Sequence, residues 1–90
     1  MRFEYDSAKS AANKAKHGID FEEAQSLWDD GDHIVIPSTY PAEARHTVIG
    51  TIAGKLWAAI VTLRGERTRI ISVRRARHVE TETYFSRRAR

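Results

Sequence analysis

The chain has 90 residues, 41% hydrophobic and 30% charged, which describes one globular domain with room for a single modest core. It has no cysteine, which excludes disulfides and thiolate zinc sites; no apolar run approaches the ~18 residues of a membrane span, and no secretory signal opens it, so a cytoplasmic protein without membrane contact is expected. The net charge of +3 is unevenly spread: residues 1–63 carry six Lys/Arg against nine Asp/Glu, and residues 64–90 carry nine Arg against three Glu, so a polyanion, nucleic acid first, is the expected partner.

Arg2-Phe3-Glu4-Tyr5 alternates as a short strand, and Asp6 is an N-cap for a helix over Ser7–His17 that stops at Gly18. Lys14, Lys16 and His17 crowd the last turn, where the helix dipole favours cations. His17 therefore has two readings, a surface histidine complementing that dipole and a catalytic or phosphate-contacting imidazole. Asp20 and Glu23 have capping-box spacing for a second helix ending at Gly31, with Phe21, Ala24, Leu27 and Trp28 on one face. The six carboxylates from Asp20 to Asp32 lack organised spacing and read as a solvated acidic surface.

His33–Pro37 is a strand, and Ser38–Ala44, with Pro41, is a loop. Arg45–Ile52 and Lys55–Leu63 form a hairpin about Ala53-Gly54, and a second hairpin turns through Arg64-Gly65-Glu66-Arg67 into Thr68–Arg75. Trp57, Ala59, Val61 and Leu63 make an apolar face suited to packing beneath helices, while Ala58, Ile60, Thr62 and Arg64 grade towards polar. Ile70, Ile71 and Val73 fall on both alternating faces, so the last strand is expected in the sheet interior. It opens at Arg69 and closes at Arg74-Arg75, either as a rigid anion site or simply as a strand ending in solvent. A helix over Arg77–Arg88 closes the chain with Val79, Thr83 and Tyr84 inward. The expected architecture is a small single α+β domain over residues 1–90, with an N-terminal strand, two helices, a four-strand antiparallel run and a C-terminal helix, the helices on one face of an antiparallel sheet.

Register decides which side chains meet. A two-residue turn at Ala53-Gly54 sets Arg45 across from Thr62, on the face of Arg64, whereas a three-residue loop moves His46 there instead. The first is favoured, because the alternative buries Arg45 against Val61. Pairing Leu63 with Thr68 puts Arg69 beside Thr62, so Arg45, Arg64 and Arg69 converge, with Arg74 at the far end of the strand. Glu80 reads as the anchor of Arg74 or Arg75. His78 and Glu82 are too few for a metal site, and no metal or other cofactor is expected.

Phe3-Glu4-Tyr5-Asp6, Asn13, Lys16-His17-Gly18, Phe21-Glu22-Glu23-Ala24, and Arg69-Ile70-Ile71-Ser72 with Arg74, Ala76, Glu80 and Tyr84 resemble the BrnT family of type II toxins, in order and spacing over nearly the whole chain. Departures at Tyr5, Ser7 and Val73 remove no charged group. The resemblance implies a RelE-like fold and a ribonuclease that cuts RNA and halts translation. It also implies a BrnA-like antitoxin with a ribbon-helix-helix domain, through which alone DNA would be contacted.

A ribonuclease without a metal cage would use the 2′-hydroxyl as internal nucleophile, which needs a proton acceptor, cations for the phosphorane and a proton donor for the 5′-oxygen. Arginine serves the second task but not the first. His17 is then the expected proton-transfer group, because histidine titrates near neutrality, with His46, Lys16 and Tyr84 in reserve. Arg64 and Arg74 are expected to stabilise the transition state and Arg45 to position the phosphate, while Arg67, Arg69, Arg75 and Arg77 hold backbone phosphates and Glu80 supports them. Two other classes fit the same arginines: a nucleic-acid-binding module that does not cut, and a protein-interaction domain for an acidic partner.

Overall fold

A computed structural model of the chain describes residues 1–38 and 44–88; residues 39–43 of the expected loop, Pro41 included, lie outside the described residues. The elements are β1 (Arg2–Glu4), α1 (Ser7–His17), a 3₁₀ helix (Glu23–Asp29), β2 (Ile34–Pro37), β3 (Arg45–Ile52), β4 (Lys55–Arg64), β5 (Arg67–Arg75) and α2 (His78–Arg88). Asp6 caps α1 by accepting from the Lys9 N–H at 3.0 Å, and Gly18 ends it. The capping box forms in both directions: Glu23 N–H donates to Asp20 at 2.7 Å and Asp20 N–H to Glu23 at 3.0 Å. It opens a 3₁₀ segment rather than the expected α-helix, because Phe21, Ala24 and Leu27 recur every three residues and all three are buried.

The α+β class is as the sequence indicates, but the sheet is mixed. Its order is β1-β5-β4-β3-β2, with β2 to β5 antiparallel and β1 parallel to β5. β5 is interior, flanked by β1 and β4. The first hairpin has the two-residue turn, with Ile52 opposite Lys55 and positive φ at both Ala53 (52°) and Gly54 (78°), the I′ geometry that matches strand twist. The second pairs Arg64 with Arg67, and Gly65 supplies positive φ (61°) at the first turn position.

The helices lie on both faces of the sheet, not on one as expected. On the first face Val48, Ala59, Val61, Ile70 and Val73 pack against Ile19, Phe21, Ala24 and Leu27. Phe3 and Trp28, 4.7 Å apart, and Tyr5 and Phe21, 5.8 Å apart, flank this core edge to face. Leu63, expected in that face, is 54% exposed at the hairpin end. On the second face α2 lays Tyr84 against Ile49 and Ala58, with Ile34, Ile36, Leu56 and Ala76 around them. The apolar half of that face demands a cover, and the helix after β5 supplies it. Val79, expected inward, is 71% exposed, because the inward position of that helix belongs to Tyr84.

A bulge shifts β5 out of simple alternation. Ile60 faces Ser72 but Val61 faces Ile70, which leaves Ile71 as the extra residue. Ile70 and Val73 therefore share the core face, and Arg69 and Arg74, five apart, share the other.

Two polar devices hold the elements in place. The Asn13 amide donates to the carbonyls of Ile19 (2.8 Å) and Val73 (2.9 Å) and accepts from the Val73 N–H (3.2 Å), so a side chain completes the edge of β5 beyond the end of β1. Asn13→Ala strands these buried groups; urea unfolding is expected to show a loss of about 2–4 kcal/mol, and melting a drop of roughly 10 °C or more. The second device is Asp30, whose carboxylate accepts from Tyr84 Oη (2.7 Å), Thr51 N–H (2.9 Å), Thr51 Oγ1 (3.0 Å) and Asp32 N–H (2.8 Å). Burial raises its pKa, but these bonds outweigh burial and bring it from the usual 3.8 down to about 2. A depressed carboxyl stabilises fully above its unfolded value and loses that contribution as pH falls through the folded one. Stability is thus expected to decline between about pH 4 and 2, and Asp30→Asn to be less stable than the parent at pH 5 with the gap closing by pH 2; a gap that persists at pH 2 would refute the assignment.

Candidate nucleic-acid interface

The open half of the second face is built from register. Thr62 stands between Arg45 on β3 and Arg69 on β5, and Arg69 is followed outward by Glu4 on β1. Two rungs nearer the hairpin end, Arg64, Arg67 and Arg2 lie side by side across three strands. Arg45, Arg64 and Arg69 line a cleft of about 410 Å³ with Thr62, Leu63, Ile71, Ala44 and Lys9. The bulge residue Ile71 is part of its wall, so the irregularity in β5 and the cleft coincide.

Lys9 is the member sequence reasoning missed. It reaches the cleft from the first turn of α1, whose N-cap bond it donates. The only trace in the sequence is its spacing of four from Asn13, which sets both on one side of the helix.

Arg69 pairs with Glu4 at 3.3 Å; among the described residues no carboxylate pairs with Arg64, Arg67 or Lys9. Like charges directly opposite on adjacent strands repel. That arrangement concentrates positive potential over Arg64, Arg67 and Arg2. Arg67→Gln is expected to raise stability by a few tenths of a kcal/mol to about 1 kcal/mol at low salt, and the gain to fade near 1 M NaCl, where the Debye length is about 3 Å. Thermal melts at the two salt concentrations measure it.

The other expected site residues stand elsewhere. Arg74 is on the same face as Arg69 but on the order of 15 Å along β5. It makes a bidentate pair with Glu80, at 2.8 and 2.9 Å, and Glu80 also accepts from the Arg77 N–H at 2.8 Å. The Arg74 bond lowers the Glu80 pKa against the raising effect of burial, so the carboxylate is fixed as a charged anchor for the start of α2. Arg75 points to the opposite face, stacks over Trp57 at 5.4 Å and donates to the Leu56 carbonyl at 3.1 Å. Arg77 is exposed beside α2.

His17 is half-buried on α1, one turn beyond Asn13, hence towards the Arg74–Arg75 end of β5 and not in the cleft; Lys16 next to it is exposed. Tyr84 is 1% exposed, with its hydroxyl committed to Asp30; burial and that carboxylate push its pKa up. His46 faces Val61, away from the arginines, and its Nδ1 has no hydrogen-bond partner among the described residues. The expected set is therefore divided, with Arg45, Arg64 and Arg69 together and His17 and Arg74 apart from them. Among the described residues no three His, Cys, Asp or Glu side chains gather as metal ligands, and no helix is long and apolar enough to cross a membrane.

No curated protein matches the chain. Residues 5–80 match the family model described as ribonuclease toxin, BrnT, of type II toxin-antitoxin system. That match takes in α1, the whole four-strand run and the start of α2, and with it Lys9 and all three arginines of the cleft; the chain belongs to the BrnT family of ribonuclease toxins of type II toxin-antitoxin systems.

Proposed function

We propose that the chain is a metal-independent endoribonuclease that cuts RNA by attack of the 2′-hydroxyl on its own phosphodiester, acts in the cytoplasm to stop translation, and is neutralised by a BrnA-like ribbon-helix-helix antitoxin. The observation that carries this reading is the cleft, which Arg45, Arg64, Arg69 and Lys9 line together. Arg45 and Arg64 bind the non-bridging oxygens and stabilise the phosphorane; Arg69, held by Glu4, and Arg67 grip flanking phosphates. The antitoxin would cover this half-face with carboxylates, since the same cations attract both ligands.

Arg74 serves α2 through Glu80, and we assign it to positioning that helix rather than to the phosphate. His17 is the discriminating residue. Purified protein in excess EDTA is expected to leave 2′,3′-cyclic phosphate ends on a structured RNA, and Arg64→Ala to lower the rate about 10²–10³-fold. His17→Ala is expected to stay within a few-fold of the parent, because α1 carries that imidazole away from the cleft. A hundredfold loss on His17→Ala would return proton transfer to the histidine. Salt-sensitive RNA binding without cleavage would instead identify a binding module, and neither activity would leave only the partner-interaction role.

A further inference from the structure

We infer that Lys9 is the general acid of the cleavage reaction, giving its proton to the departing 5′-oxygen; this rests on the ribonuclease reading above. A phosphodiester cannot lose an alkoxide at neutral pH without a proton arriving as the bond breaks. The cleft narrows the choice of donor. Arginine does not release a proton in proteins, Ala44, Leu63 and Ile71 have none to give, and Thr62 is only 6% exposed with an alcohol too weakly acidic to serve. Among the described residues, the remaining lining side chain is that of Lys9, whose ammonium carries protons it is able to transfer.

Its surroundings suit the task. The backbone of Lys9 is fixed by the Asp6 cap at 3.0 Å, and α1 is fixed to β5 by Asn13, so the stem starts from a rigid point. Lys14, on the same helix, is tied to Glu23 at 2.7 Å, whereas no carboxylate among the described residues pairs with Lys9. The proton is therefore available to a ligand in the cleft.

The step balances with solvent alone. The 2′-oxygen forms a bond to phosphorus and its proton passes to water. The phosphorus–O5′ bond breaks, its electron pair leaves with O5′, and the Lys9 Nζ proton joins that oxygen. The neutral amine then regains a proton from solvent, leaving a 2′,3′-cyclic phosphate and a 5′-hydroxyl.

The test compares a normal RNA linkage with one in which sulfur replaces the bridging 5′-oxygen, since a thiolate departs without a proton. Lys9→Arg keeps the positive charge but cannot transfer, and Lys9→Ala removes both. In single-turnover assays both variants are expected to lose about 100-fold or more on the oxygen substrate while cutting the sulfur substrate within about threefold of the parent. Lys14→Arg is expected to match the parent on both. Equal losses on the two substrates would make Lys9 a phosphate-binding cation only, and an undiminished oxygen rate would remove it from the reaction. A parent protein that cuts neither substrate would overturn the ribonuclease reading itself, and the role of Lys9 with it.

Discussion

The structure hangs on the Asn13 amide. β1 ends after three residues, so the outer edge of β5 would otherwise face α1 with a bare N–H and a bare carbonyl at Val73. A primary amide has a donor and an acceptor at the spacing of a peptide, and it answers both, while its second N–H takes the Ile19 carbonyl where the chain turns back. One side chain thereby sets the height of α1 along the strand, the path into the 3₁₀ helix, and the point from which Lys9 departs. Ser10 acts alongside, accepting from the Phe21 N–H at 2.9 Å. The inner stripe of α1 is polar, and the helix is docked by hydrogen bonds where most are docked by apolar area.

The second constraint is the division of one sheet face. Where Ile49 and Ala58 meet, the surface is apolar and α2 covers it; where Thr62 is flanked by Arg45 and Arg69, nothing apolar demands a cover. The bulge at Ile71 makes the division possible. Without it, Arg69 and Arg74 would lie on opposite faces, and either the cleft would lose a guanidinium or α2 would lose its anchor at Glu80. Packing and charge are thus separated along the strands as well as across the sheet.

Much of this was legible in the sequence. Two hairpins with Gly at turn positions fix the partners of a dozen residues, and the cost of burying Arg45 selects between the possible registers, which is why Arg45, Arg64 and Arg69 are found together. Less legible were features that break a period. A bulge changes parity without changing composition, so Ile71 and Val73 read as neighbours on one face. A three-residue strand carries no sign of its direction, and β1 proves parallel. α1 shows no apolar stripe because Ser10 and Asn13 are its buried residues, so only the spacing of four between Lys9 and Asn13 hinted at which side faced the sheet. His17 is singled out by its residue type and by the Lys16-His17-Gly18 match, and neither carries its position relative to the cleft.

The row formed by Arg2, Arg67 and Arg64 has an evolutionary consequence. Like charges held side by side cost a fold stability, which their neutralisation returns. Neutralising a member of the row would remove repulsion, so a chain altered there is expected to fold at least as well as its parent. Its core, its helices and the surface away from the row are untouched. Were the row part of the working surface proposed above, loss of that function would meet no thermodynamic barrier.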